Sequence, residues 1–456
     1  MDDDFSQQQP TDRRHPVQAK DVLAVVVGAG VVLLFVKLDL PILVSLIVGF
    51  PAAALVIARP HVGLVLMAAM TPLALLTDLY QGQFTAFKAL GIPVGLGFIV
   101  NVALGREKLA RGPLVWLFGS YITLITLSVF WYDLTIYGAI IWLTELNHVA
   151  WVVIMLSLCE DRRFFEATLA WLLAGAYLGA VAPFVLPSRV FAGLRMTVGE
   201  TNPNHWASGL AIALMASAYL WTRCRSRILR YGLVGGAGLL LVMIVLSGSR
   251  ATWMGLMAAA LLCAVSVRPA RFLRVAGLSA VLLVLVGMLV LLALELHGVG
   301  EAQVNRLKTM SFRSPDWVQR TVFHSDALQV TRRYPLLGVG GPRRYDEYVG
   351  TQIYTGRGIV PDPHMLILNM AAFYGLPVVM VFAATVGVMA ASAVRFPQSD
   401  ARLLSLSMLV YILVFSTTHG GFTQKHFWLA LCLAAGAVRA PSGRTLEAPS
   451  AGQSPE

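Results

Sequence analysis

The chain has 456 residues, 57% hydrophobic and only 13% charged, with a formal net charge of +11. Water-soluble domains carry about 25% charged residues, and apolar runs near the ~20 residues needed to cross ~30 Å of hydrocarbon recur from end to end, so a soluble fold is excluded. The alternating ~10-residue segments of a membrane barrel are absent. The sequence predicts an all-α, polytopic membrane protein. Its basic balance is explained by where the Lys and Arg residues lie and calls for no nucleic acid.

The first stretch, MDDDFSQQQPTDRRHP, is polar. It reads as a cytosolic disordered tail over 1–19. It lacks the short apolar core and small-residue cleavage site of a secretory signal, so the first span is expected to be a retained anchor. Spans are predicted near 20–37, 39–59, 61–77, 89–104, 113–130, 137–158, 164–185, 205–222, 231–248, 251–267, 275–296, 364–393, 403–418 and 426–439. That makes fourteen, with twelve or thirteen left open by the short turns between the first three and the shortness of the last pair. Residues 440–456 read as a second cytosolic tail.

With the N-terminus in the cytosol, the loops GREKLARG (105–112), CEDRR (159–163), TRCRSRILR (222–230), VRPARFLR (267–274) and VRFPQSDAR (394–402) face inward. Nearly every short basic loop lands on that side, as the positive-inside rule requires, against anionic head groups. The exception is 297–362, an outward segment carrying nine Lys/Arg. Long loops do not vote in that count. This one contains Trp317, Phe323, Tyr334, Tyr345, Tyr348 and Tyr354 and is expected to fold as a cap, helical around 315–333, between N-terminal spans (20–296) and C-terminal spans (363–439). The cysteines Cys159, Cys224, Cys263 and Cys432 show no metal-ligand spacing and predict neither a disulfide nor a metal site.

Four clusters map to the outer side. In LRMTVGETNPNHWAS (194–208), Asn202-Pro203-Asn204 makes a turn into a span, with Arg195 just before it; a turn and helix cap is the plain reading. In LSGSRATW (246–253), Arg250 sits at a sharp reversal near the membrane boundary. An arginine there snorkels or meets an anion, and a guanidinium holds phosphate oxygens in a bidentate fork. In the cap, Arg320 and His324 share a helical face before YPLLGVGG breaks the helix, while Arg332, Arg333, Arg343 and Arg344 read as a solvated face. In PDPHMLILNMAAFYGLP (361–377), Pro361 and Pro363 stiffen the approach to His364 at the start of a span. A lone interfacial histidine is ordinarily an anchor. Set among arginines, a neutral imidazole can act as general base toward a hydroxyl. Glu145 and His148, three apart in WLTELNHVAW, stand inside a span and read as a structural pair or a proton relay.

In this order, "NPN", "SGSRATW", "YPLLGVGG" and "HMLILNMAAFYGLP" resemble the O-antigen ligase and O-antigen polymerase superfamily over about 190–385, with Met365 where its members tend to carry a polar residue. The resemblance implies a fold of GT-C type in the bacterial inner membrane, with its active site facing the periplasm. It implies no metal and no cofactor. It implies transfer of a glycan from an undecaprenyl diphosphate carrier to a sugar hydroxyl. The acceptor is the lipid A-core of lipopolysaccharide for a ligase and another lipid-linked repeat unit for a polymerase. Arg250 and Arg320 are assigned to the diphosphate and His364 to the base; Arg195, Asn202, Asn204 and His324 are assigned to substrate binding. Direct displacement predicts inversion at the anomeric carbon. An exopolysaccharide polymerase and a protein O-oligosaccharyltransferase share these motifs. A transporter or flippase rests on Glu145 and His148, which it would need near the midplane.

Overall fold

A computed structural model describes residues 51–73, 78–80, 84–185, 191–192, 195–196, 202–266, 315–352, 363–396, 399–419 and 424–439. The spans expected at 20–37 and 275–296, the first part of 39–59, the loop 267–274, both terminal tails and residues 297–314 and 353–362 lie outside them.

Within the described residues the chain is helical, with two hairpins of two or three residues per strand. The order is α1 (Pro51–Ala58), α2 (Pro60–Met70), β1 (Asp78–Tyr80), β2 (Phe84–Thr85), α3 (Ala86–Ala103), α4 (Pro113–Tyr132), α5 (Ile136–Leu158), α6 (Arg162–Val185), β3 (Phe191–Ala192), β4 (Arg195–Met196), α7 (Pro203–Arg223), α8 (Arg227–Ser247) and α9 (Arg250–Ser266). Then come α10 (Pro315–Arg333), α11 (Pro342–Gln352), α12 (Leu366–Tyr374), α13 (Leu376–Arg395), α14 (Ser399–Ser416) and α15 (Lys425–Ala437). Among the described residues five helices, α4, α5, α6, α8 and α13, are long and apolar enough to cross a bilayer, and α1 with α2 makes a sixth if the bent pair is one span.

The expected break between 39–59 and 61–77 is found, and two expected spans are corrected. α1 and α2 meet at a bend of 113° at Arg59, where Pro60 opens the second helix. The span predicted at 61–77 stops at Met70, just ahead of Pro72, which has no N–H to carry the helix on. The span predicted as one helix over 364–393 is two, α12 and α13, broken at Gly375.

That break has a cause in the cap. The YPLLGVGG stretch folds back along the end of α12. Gly338 N–H closes on Tyr334 carbonyl at 3.0 Å, and the amides of Val339 and Gly340 donate to the carbonyls of Ala372 (3.1 Å) and Phe373 (2.9 Å). Leu376 N–H donates to Pro335 carbonyl at 2.7 Å. The Ser128 hydroxyl of α4 donates to the Leu337 and Phe373 carbonyls from the other side. Two motifs separate in sequence are one backbone-stitched unit.

Polar contacts between helices mark the close packing of a membrane interior. Tyr411 Oη donates to Ser208 Oγ at 3.0 Å, Ser405 Oγ donates to Ala434 carbonyl at 2.7 Å, and Asn101 Nδ2 donates to Ile57 carbonyl at 3.1 Å. Gly175 of α6 lies against α2 so closely that a Cβ would stand 1.9 Å from Ala69 carbonyl oxygen. α15 is the centre of the body: every residue from His426 to Ala437 is buried.

The basic loops among the described residues gather at one end. Arg439 donates to the carbonyls of Leu156 (3.0 Å) and Arg111 (2.7 Å), and Arg223 pairs with Asp400 at 3.3 Å. The opposite end carries α10 and the starts of α7, α9, α12 and α15.

Candidate functional site

The cap helix α10 presents Arg320, Phe323 and His324 at spacings that share one face. Each reaches the body. Arg320 Nη1 donates to Thr418 carbonyl at 3.3 Å. The Phe323 ring lies 6.4 Å from that of His364. His324 hydrogen-bonds the Pro363 backbone, the residue before His364. Burial, and then the charges of Arg320 and His364, hold His324 below its ordinary pKa, against the raising effect of that hydrogen bond. A proton on His324 is therefore disfavoured, and its ring serves as a tether.

His364 takes φ 52°, the one positive φ among the described non-glycine residues. A non-glycine residue in the left-handed region costs about 1–2 kcal/mol and persists only where its surroundings hold it there. Here the holders are Pro363, buried and tied to His324, and Leu366, buried at the start of α12. The strained residue lifts the imidazole off the helix start and leaves it partly exposed beside α10.

Beneath it lies a row of imidazoles that sequence reasoning did not select. His364 is 6.1 Å from His419, His419 is 5.8 Å from His205, and His205 is 5.2 Å from His426, centroid to centroid. Phe415 closes one side, 5.2 Å from His419 and 5.6 Å from His426. His419 is fixed by Asn204, whose Nδ2 is 2.6 Å from its Nε2. Burial first, then the neighbouring charges of His205, His364 and Arg320, push His419 down to about 3. Among the described residues no three His, Cys, Asp or Glu side chains are disposed to hold a metal ion.

The first cluster divides its labour. Asn202 Oδ1 accepts from Asn204 N–H at 2.9 Å and caps α7, with Pro203 at the first helical position, so Asn202 plays the plain capping role. Asn204 points its amide at His419. Arg195 lies in β4, paired with Ala192, in the α6–α7 connection and against α8.

The SGSRAT reversal is also built by caps. Gly248 closes α8 in the left-handed region at φ 62°. Ser249, fully buried, brackets the start of α9 through its hydroxyl, 2.9 Å from Thr252 Oγ1. Arg250 is therefore the first residue of a helix, partly exposed, where the dipole favours an anion beside it. A Cβ at Gly255 of α9 would touch Tyr411 of α14. Five residues back along α9, about 7.5 Å, Arg250 is level with the outgoing end of α14, which leads to Thr418 and His419.

The buried pair on α5 is not separate from this site. Glu145 and His148 are 1% and 3% exposed. His148 stacks on Trp428 of α15 at 5.5 Å and 13°, and it lies within electrostatic reach of His426. Glu145 sits near Tyr121 and Tyr374. A line of titratable side chains thus runs from His364 at the cap to the middle of the bundle.

Of the sequence-predicted residues, the structure brings Arg320, His364 and Asn204 together around His419, ties His324 to Pro363 beside His364, and sets Arg250 at the same end. His205 and His419 stood in the quoted and neighbouring sequence (NPNHW, TTHGG), and their polar character in an apolar chain was the signal available.

No curated protein matches the chain. Residues 235–383, from α8 through the first part of α13, match the O-antigen ligase family, and the matched segment contains Arg250, Arg320, His324 and His364. That segment, about a third of the chain, is similar to the O-antigen ligase family and lies in a body of apolar helices.

Proposed function

We propose that the protein is a ligase that moves a glycan from undecaprenyl diphosphate to a sugar hydroxyl, with the lipid A-core of lipopolysaccharide as acceptor. The reaction takes place on the periplasmic face of the inner membrane. The observation that carries this reading is the meeting of Arg320 and His364 around His419, at the end of the bundle opposite the basic loops. By the positive-inside rule those loops face the cytosol, so the cap faces out.

The chemistry follows from the charges. A lipid diphosphate leaving group gathers negative charge as the glycosidic bond breaks. Arg320 and Arg250 supply fixed positive charge toward it, the kind of preorganised stabilisation that dominates such steps. Arg195, in the hairpin before α7, is assigned a supporting part. His364 takes the proton of the acceptor hydroxyl as that oxygen attacks the anomeric carbon, and configuration inverts. The cap orients the glycan over His364.

The test uses a deletion strain of the source bacterium complemented with wild type or His364→Ala. Carrier-linked and surface glycans are separated by gel and mass spectrometry. Glycan held on the carrier with none at the surface supports the ligase. Surface glycan cut to single repeat units points to a polymerase. Normal pools with His364→Ala, together with failure of a Glu145→Gln strain, overturn the transferase reading in favour of a flippase.

A further inference from the structure

We infer that His419, fixed by Asn204, is a positioning residue of the transfer site: it sets the His364 ring and the Arg320 guanidinium relative to one another. This rests on the transferase reading above.

Four observations converge on one short turn. His419 follows Thr418, whose carbonyl accepts from Arg320. Its ring lies between His364 at 6.1 Å and His205 at 5.8 Å. It is 94% removed from solvent, its relative exposure being 6%. Its Nε2 meets the Asn204 amide at 2.6 Å, a contact 215 residues away in sequence. Asn204 has only donors on its Nδ2, so His419 Nε2 accepts and the ring proton sits on Nδ1. That choice of tautomer makes the ring neutral.

A relay role fits poorly. A ring buried against Phe415 and flanked by His205, His364 and Arg320 resists a second proton. It can orient a neighbour but is a poor carrier of charge. Positioning is what the geometry offers. Arg320 enters from the cap, His364 from the start of α12 and Asn204 from the start of α7. The 417–419 turn touches all three. Misplacing a reacting group by ~1 Å can cost ~10²-fold in rate.

The experiment uses the full-length protein in membranes. The donor is the carrier-linked glycan extracted from the deletion strain. Four variants are assayed: His419→Gln, His419→Leu, Asn204→Ala and the double variant Asn204→Ala/His419→Leu. Gln keeps an acceptor for Asn204 and a donor edge; Leu keeps only the packing on Phe415. The expected result is transfer within about threefold of wild type for Gln, and loss by about 10²-fold for Leu and for Asn204→Ala. The double variant is expected to be no worse than either single. A role in packing alone reverses the order, with Leu active and Gln impaired, and overturns the proposal. Should the Leu variant fail to accumulate in the membrane, Asn204→Ala decides, since it leaves His419 and its packing in place; full activity overturns the proposal. His364→Ala is run beside them. If it transfers normally, the transferase reading has failed. If it is dead while His419→Leu and Asn204→Ala are active, only this inference falls.

Discussion

The amide of Leu376 donates to the carbonyl of Pro335 at 2.7 Å, so the first residue of α13 is bonded to the cap. Gly375, between them, takes φ 92° and ψ 168°, a region that only glycine occupies freely. A Cβ there would also lie 2.2 Å from the Leu336 carbonyl oxygen. Gly375→Ala is expected to destabilise the protein by about 2–4 kcal/mol through strain and the displaced bond. Thermal unfolding of the detergent-purified variant checks this, and a melting curve equal to wild type would refute it.

Arg320 enters the site from the cap and already spends one N–H on Thr418. Arg320→Ala is expected to lower transfer by about 10²–10³-fold. Arg320→Lys should recover only part of it, since a point charge cannot offer the planar fork of a guanidinium. Initial rates with extracted carrier-linked glycan are the measurement; a fully active Lys variant would show that charge alone suffices.

His419 gives a pH dependence of stability whose sign can be worked out. The unfolded ring takes a proton below ~6.5, whereas the folded one, held down by burial and its cationic neighbours, does so only at about 3. Between those values the unfolded state binds more protons, so stability falls as pH falls. The loss is about 1.4 kcal/mol per pH unit below 6.5 and levels off below about 3. Melting temperatures of wild type and His419→Gln, compared at neutral pH and near pH 5, should diverge as the solution is acidified. Parallel curves would show that His419 is not the source.

The ends of the bundle can be told apart by thiol labelling. Cys159 and Cys432 are buried, whereas Cys224 follows α7 in the loop beside Arg223 and Asp400. A membrane-impermeant maleimide is expected to label a Cys224-only variant in inverted vesicles and not in intact cells. The reverse pattern would turn the molecule over and place the cap in the cytosol.

Helix positions were legible from the sequence wherever a span is simply apolar, as in α4, α5 and α8. They were not legible where a remote strand of chain dictates the break. Gly375 reads as a tolerable glycine inside an apolar run until the YPLLGVGG segment is seen bonded to Ala372 and Phe373. The candidate site was legible in part for a similar reason. Arg320, His324 and His364 lie in unusual polar stretches, and the i, i+4 spacing placed the first two on one face. His419, His205 and His426 come from three separate segments, and only the packing of α7, α14 and α15 makes a cluster of them. Asn202 and Asn204 are two residues apart and look equivalent, yet one caps a helix and the other holds a histidine.

α15 has 13 residues, about 20 Å of helix, too short to reach across a bilayer's ~30 Å of hydrocarbon. It is walled in by protein along its length. One end is pinned where Arg439 grips the carbonyls of Leu156 and Arg111; the other is wedged where His426 meets His205 and Phe415. Sliding it by a turn, about 5.4 Å, would break both ends at once. α15 is therefore a fixed anvil under the row of histidines. α10 is seated on the same support, packed along α12 with Ala327 and Val330 fully buried, so cap and bundle share one rigid footing.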